Sequence, residues 1–163
     1  MKNTTLCYLE QKDSYLMLLR NRKEHDENAG KWIGVGGKFE EGESPVDCLL
    51  REVREETGLT LTEYAFRGIV TFVSESWGTE QMFLFTATGF TGRLVTDCPE
   101  GELRWIPKGE LADLPLWEGD RVFLELLAKD APPFLLTLGY DGADRLIRNE
   151  IQWCPFSCPP PDA

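Results

Sequence analysis

The 163-residue sequence predicts a single mixed domain of the α/β (α+β) class, with about two helices and several strands. Three observations predict it. Apolar residues make up 42% of the chain, enough for one core at this length, and no repeat or linker divides it. One segment, opening at Ser44, has helical periodicity and helix-ending residues at both ends. On either side of it lie short apolar, β-prone runs bounded by turn residues.

In chain order, residues 5–11 and 14–20 are two apolar runs around Lys12-Asp13 and read as a β-hairpin. The polar stretch 20–28 (RNRKEHDEN) reads as a solvated loop. Residues 30–37 (GKWIGVGG) are dense in glycine, which suggests backbone passing close to a ligand or another strand. Ser44 suits a helix N-cap, Pro45 the first helical position, and Asp47 the far side of a capping box. Gly58 suits a left-handed C-terminal cap. Val46, Leu49, Leu50 and Val53 follow i, i+3, i+4, i+7, so that face is expected to be buried. Residues 66–74 and 81–90 read as strands around a loop holding Trp77 and Gly78, and 103–106 as a short strand. Residues 120–129 form a second predicted helix with Val122, Phe123, Leu126 and Leu127 on one face. Residues 134–140 and 145–153 read as a hairpin turning at Asp141-Gly142. The domain is expected to span residues 1–154, with 155–163 as a loosely ordered proline-rich tail.

The chain carries 28 acids, 17 bases and one histidine, a net charge of −11. That balance argues against gripping a nucleic-acid polymer. No apolar run reaches the roughly 18 residues of a membrane span, and the first nine residues lack a signal-peptide pattern. Five cysteines without framework spacing fit a reducing, cytoplasmic setting. Cys154 and Cys158 read as incidental, and Cys48 as packing. With His25 alone, a multi-histidine zinc site is excluded, and a Ser-His-Asp triad would have to run through a solvated loop. Carboxylates and a hard metal ion remain for any enzymatic chemistry.

Residues 37–59 hold seven acids against three bases. A solvated acidic helix is the plain reading of that composition, but the placement argues for more. At about 100° per residue, Glu52, Glu55 and Glu56 fall within one arc beside the apolar stripe. Like charges on one helix face repel. A divalent cation removes that cost, and an oxygen-only cluster suits Mg²⁺ or Mn²⁺. Arg51 can orient one carboxylate, and the Gly36-Gly37-Lys38 turn can offer a carbonyl to the metal and an ammonium to a phosphate. Together these residues point to metal-assisted hydrolysis of a phosphate or pyrophosphate bond.

The same residues carry a resemblance. Gly37, Glu43 and the run Arg51-Glu52-Val53-Arg54-Glu55-Glu56-Thr57-Gly58-Leu59 match the Nudix box GX5EX7REUXEEXGU at all nine specified positions, U being a large aliphatic residue. The chain thus resembles the Nudix hydrolases. What this implies is a mixed β-sheet sandwiched between α-helices, with the box as loop–helix–loop. It implies Glu52, Glu55, Glu56 and the Gly36 carbonyl as metal ligands, and Glu52 as the base for the attacking water. Arg51 and Glu43 would form a supporting ion pair, and Lys38 would face the phosphates. A further glutamate from a later loop is expected at Glu100, with Glu102 as the second choice.

Residues 30–38, 103–106 and 116–120 narrow the resemblance to bacterial MutT-like 8-oxo-dGTP diphosphatases. In that group a tryptophan stacks on the purine and an acid reads its edge, which places those roles on Trp117 and Asp120. Core packing for Trp117 and helix N-capping for Asp120 are the structural alternatives. Ile33 and Gly119 stand where the animal enzymes of this activity carry an asparagine and a second aspartate, so the base must be read differently or less selectively. Phe72, Phe83 and Phe85 read mainly as core, with Phe72 the pocket candidate among them. The implied activity is Mg²⁺-dependent conversion of an oxidised purine nucleoside triphosphate to monophosphate and pyrophosphate, sanitising the nucleotide pool. The alternatives are ADP-ribose, a dinucleoside polyphosphate or capped RNA as substrate, or a non-catalytic nucleotide sensor. Much of the excess charge falls in residues 37–59 and 97–130, which carry −4 and −5.

Overall fold

The computed structural model describes residues 1–95 and 98–153. The expected tail from residue 155, the domain boundary at 154, and Cys154 with Cys158 lie outside them. Strands β1 (Lys2–Gln11) and β2 (Ser14–Leu19) form the predicted hairpin, with Lys12 and Asp13 both at positive φ in a tight turn. Short strands β3 (Trp32–Ile33) and β4 (Val35–Lys38) lead into helix α1 (Pro45–Thr57). Then follow β5 (Leu59–Ser74), β6 (Gly78–Gly92), β7 (Glu102–Pro107), a 3₁₀ segment (Lys108–Asp113), α2 (Asp120–Ala128), β8 (Phe134–Tyr140) and β9 (Leu146–Trp153).

Among the described residues the strands form one mixed sheet in the order β3-β2-β1-β6-β5-β8-β9, with β4 joined to β1 and β7 to β2. The β1–β6 and β5–β8 pairs are parallel and the others antiparallel. Alternation along the strands divides the core in two. Leu6, Tyr8, Met17, Val70, Phe72, Leu84 and Leu136 pack on one face with Phe123, Leu124 and Leu127 of α2. Cys7, Leu9, Leu16, Phe85 and Ala87 pack on the other with Leu49 and Val53 of α1. The sheet is therefore covered by one helix on each face, as a period of two requires when both faces are apolar.

Helix α1 starts and stops for local reasons. Ser44 Oγ accepts from Asp47 N–H at 3.1 Å, and Asp47 Oδ2 accepts from Ser44 N–H at 3.0 Å. Gly58 ends the helix at φ 79°, the left-handed geometry that favours glycine. Fully burying Leu49 and Val53 contributes about 1.5–3 kcal/mol each.

Several expectations need correction. Val46, in the first turn of α1, is exposed, whereas Leu49 and Val53 are buried and Leu50 partly so. Leu124 is buried in α2 whereas Val122 and Leu126 are only partly so. Strand β5 starts at Leu59, seven residues earlier than its apolar run suggested. Residues 62–66 are exposed and their pairing with β6 is irregular, so neither alternation nor an apolar run marks them.

Candidate active site

A cavity of about 520 Å³ opens between α1, the 20–28 loop and the α2-side face of the sheet. One end is acidic. Glu52 and Glu56 project from α1 into it, beside Gly36, Gly37 and Lys38 of β4. Gly37 leaves room for the Glu52 carboxylate, which a Cβ at that position would approach to about 2.5 Å and force to shift. Gly36 lines the cavity, and its N–H donates to Glu56. Lys38 is exposed at the rim, and its carbonyl accepts from Arg51 Nη2 at 2.9 Å.

Arg51 organises the outer side of this cluster. Its Nε and Nη2 donate to Glu43 Oε2 and Oε1 at 2.7 and 2.9 Å, a bidentate pair. Its Nη1 donates to Glu52 at 2.8 Å and to Glu55 at 3.1 Å. The Arg51 hydrogen bonds, with the Glu40 N–H, hold Glu43 down at about 2. Glu52 moves the other way, raised by burial against the opposing pull of Arg51. Glu56 is 7% exposed, and burial and then the Glu52 charge push it up to about 8. Its Oε2 is buried and has no hydrogen-bond partner among the described residues.

Glu55 lies apart from this pair. A step of three residues from Glu52 turns it about 60° one way, and a step of four turns Glu56 about 40° the other. Glu56 therefore points inward, while the Glu55 side chain, 58% exposed, is held by Arg51 outside the cavity wall. Among the described residues no three acidic, histidine or cysteine side chains converge as a ready metal cluster. The residues nonetheless fit a hard divalent cation: a buried carboxylate oxygen lacks a partner, a second carboxylate faces the same space, and both bear the oxygen ligands such ions prefer.

The 20–28 loop, expected to be merely solvated, walls the cavity. Arg20 Nε pairs with Asp26 at 2.7 Å, and Arg20 Nη2 and Lys23 Nζ reach Glu100 at 3.3 and 3.2 Å. Glu100 thus lies at the cavity, and its charge acts on Glu56. Glu102 is turned towards Arg104 instead, at 2.6 Å, and does not line the cavity. His25 is exposed at the mouth, edge-on to Trp77 at 6.0 Å.

The other end is aromatic. Trp117, 3% exposed, meets Phe72 and Tyr140 edge-on at 5.1 and 4.8 Å. Its Nε1–H donates to Asn28 Oδ1 at 2.8 Å, and Lys31 Nζ sits 4.4 Å from its ring centre. Trp117 is therefore both a core residue and a wall of the cavity. Phe72 lines the same space, whereas Phe85 belongs to the core on the opposite face. Asp120 also lines it; burial and the nearby Glu80 charge raise its carboxyl to about 8. Asp120 is the first residue of α2 and makes no side-chain cap, so the N-capping alternative is set aside; Gly119 holds that position. The Gly119 N–H donates to the Tyr140 hydroxyl at 2.7 Å, and a Cβ there would lie 2.5 Å from that oxygen. An aspartate at position 119 has no room for that physical reason.

The NUDIX domain family matches residues 2–127. The chain belongs to the Nudix hydrolase family. Nudix hydrolases act on phosphoanhydride bonds of nucleotide derivatives. The uncharacterized Nudix hydrolase YvcI of Bacillus subtilis is 33% identical over 79% of this chain and 80% of its own. An oxidized purine nucleoside triphosphate hydrolase of Mus musculus is 30% identical over 68% of this chain and 70% of its own. The crystal structure of a MutT protein from Bacillus halodurans superposes with a TM-score of 0.82 at 29% identity, covering 93% of this chain and 97% of that one. The Nudix sheet and its helices explain why the box glutamates and the aromatic cavity adjoin: α1 and α2 cover opposite faces, and the cavity runs from the edge of α1 to the start of α2.

Reasoning from sequence missed Asn28, Glu80 and the Arg20–Glu100 contact. Asn28 meets Trp117 across 89 residues, and Glu80 joins the cavity by pairing beside Phe72. Strand register was the only signal that could have placed Glu80.

Proposed function

We propose that this Nudix hydrolase converts oxidised purine nucleoside triphosphates, 8-oxo-dGTP first among them, to the monophosphate and pyrophosphate, sanitising the nucleotide pool in the cytoplasm. The observation that carries this reading is one continuous cavity with the Glu52–Glu56 pair at one end and Trp117, Phe72 and Asp120 at the other. A purine fits the aromatic end, where the Asp120 carboxyl meets its edge, and the triphosphate then extends towards α1. Members of the family generally use a divalent metal; Mg²⁺, or Mn²⁺ in its place, would be held by Glu52 and Glu56, with Gly36, Glu55 and Glu100 as further candidates. When bound, it supplies charge neutralisation on the phosphates and a more acidic water. Glu52 takes the proton of the attacking water as its oxygen bonds to phosphorus and the anhydride bond breaks, releasing pyrophosphate. Arg51 holds Glu52 in place and is itself held by Glu43. Lys38 at the rim is placed to meet the phosphate chain. No nucleic-acid polymer is expected to bind at a net charge of −11.

Steady-state kinetics on a panel test the proposal: 8-oxo-dGTP, dGTP, ADP-ribose, a dinucleoside polyphosphate and a capped RNA, with Mg²⁺ or Mn²⁺. The expected result is the highest kcat/KM for 8-oxo-dGTP, with pyrophosphate as product. A higher value for any of the last three overturns the substrate assignment. Binding without turnover for every compound points to the nucleotide sensor instead.

A further inference from the structure

One acid in the cavity wall has no part in the chemistry above. Glu80 stands on β6 in register with Phe72 of β5 and Lys2 of β1, so the three side chains share the α2-side face of the sheet. Its carboxylate is held from behind. Oε1 pairs with Lys2 Nζ at 3.3 Å, and Oε2 accepts from Thr4 Oγ1 at 3.1 Å. Lys2 is shared with Glu27 at 3.2 Å, which ties the arrangement to the 20–28 loop. Lining the same cavity is Asp120, 5% exposed, whose carboxyl makes no hydrogen bond to any described residue. The two groups are close enough for the charge of Glu80 to act on Asp120.

We propose that Glu80 is a specificity-determining residue of this site, a fixed acceptor for the exocyclic 2-amino group of a guanine-type base, with Asp120 meeting the ring edge beside it. The proposal deepens the function given above and rests on its placing of the base in this cavity. A carboxylate held by an ammonium and a hydroxyl is an acceptor only. A buried carboxyl without a partner favours its neutral form and offers a donor beside an acceptor. Together the pair can offer a donor followed by two acceptors, the Asp120 hydroxyl, the Asp120 carbonyl oxygen and the Glu80 carboxylate. A guanine edge answers with O6 as acceptor and N1–H and the 2-amino group as donors. Hypoxanthine offers the first two and lacks the third. A base without the amino group leaves a desolvated acceptor unpaired, the situation in which polar sites discriminate most strongly. Lys2 and Thr4 act as positioning residues, since they fix the carboxylate without reaching the base.

The test compares kcat and KM for dGTP and dITP, and for their 8-oxo forms, in the wild type, Glu80→Gln and Glu80→Leu. The wild type is expected to prefer the guanine member of each pair. Both variants should lower kcat/KM for the guanine members by about 10-fold or more, mainly through KM, and for the hypoxanthine members several-fold less. Thermal melts report whether each variant folds, and the near-isosteric Gln variant keeps the test open if Leu does not. Equal losses on both bases, or an unchanged preference, overturn the assignment of Glu80. Failure of the wild type to hydrolyse any of these triphosphates overturns the functional reading beneath it, which separates the two failures.

Discussion

Glu52 and Glu56 are one helical turn apart and meet different surroundings. Glu52 is half-buried and gripped by Arg51, whereas Glu56 is buried with one oxygen unpartnered among the described residues. The spacing of the box made the carboxylates recognisable in the sequence, but which of them enters the cavity depended on the direction of the core. Glu52→Gln keeps the shape and the Arg51 contact while removing the base. It should lower kcat by about 10²–10⁴-fold with little change in melting temperature; wild-type turnover would exclude Glu52 from that role. Trp117→Ala should lose about 5–150-fold in kcat/KM on purine triphosphates, the worth of a stacking platform, and less on pyrimidines. A loss uniform across bases would reduce Trp117 to packing against Phe72 and Tyr140. Asp120 gives a pH prediction. Its carboxyl titrates at about 8 in the fold against an ordinary 3.8, so the folded state holds a proton that the unfolded state releases. Its stabilising share is full below pH 4 and is lost as pH rises towards 8. Asp120→Asn removes that loss, and its advantage over the wild type should grow by up to about 1.4 kcal/mol per pH unit across this window. Urea unfolding at pH 5, 6.5 and 8 measures it; an advantage that does not change with pH would refute it.

Helix α1 shows how local chemistry and packing divide the work. Its boundaries follow from the Ser44–Asp47 capping box and from Gly58, all contained in 15 consecutive residues. Ser44→Ala should cost about 1 kcal/mol, seen as a lower urea midpoint with an unchanged slope. A change below a few tenths of a kcal/mol would mean that tertiary contacts alone hold the first turn. The strands were less open to this reasoning. The β1–β2 and β8–β9 hairpins follow from apolar runs and turn residues, but the exposed residues 62–66 of β5 leave no periodic trace. The 20–28 loop misled for a related reason. Its charges look like a solvated surface, yet Arg20, Asp26 and Asn28 satisfy one another, Glu100 and Trp117, and so form a wall. Charge in a sequence does not say whether the partner is water or another side chain.

At the scale of the molecule, two cores on opposite faces of one sheet carry the helices that flank the cavity. Anything bound there that the unfolded chain does not bind should stabilise the whole domain by mass action, by about 2.7 kcal/mol at 100 times its Kd. A non-hydrolysable dGTP analogue with Mg²⁺ should therefore raise the melting temperature, and chelation should abolish the shift; the same shift in the presence of chelator would remove the metal from substrate binding. The excess of acid localised by sequence to residues 37–59 and 97–130 gathers in part around this cavity, through Glu52, Glu56, Glu100 and Asp120. The family, the helix that bears the carboxylates and the period-two alternation of the strands were all legible along the chain. These depend on neighbours within a few residues, where caps, helical spacing and alternation act. Which glutamates face the cavity, the double role of Trp117 as wall and core, and the position of Glu80 beside Phe72 emerge only once the sheet is assembled. Those placements rest on antiparallel pairing of β5 with β6, on parallel pairing of β1 with β6 and β5 with β8, and on contacts such as Thr4–Glu80, 76 residues apart. They are settled by burying both faces of the sheet at once, a condition that no local stretch of sequence expresses.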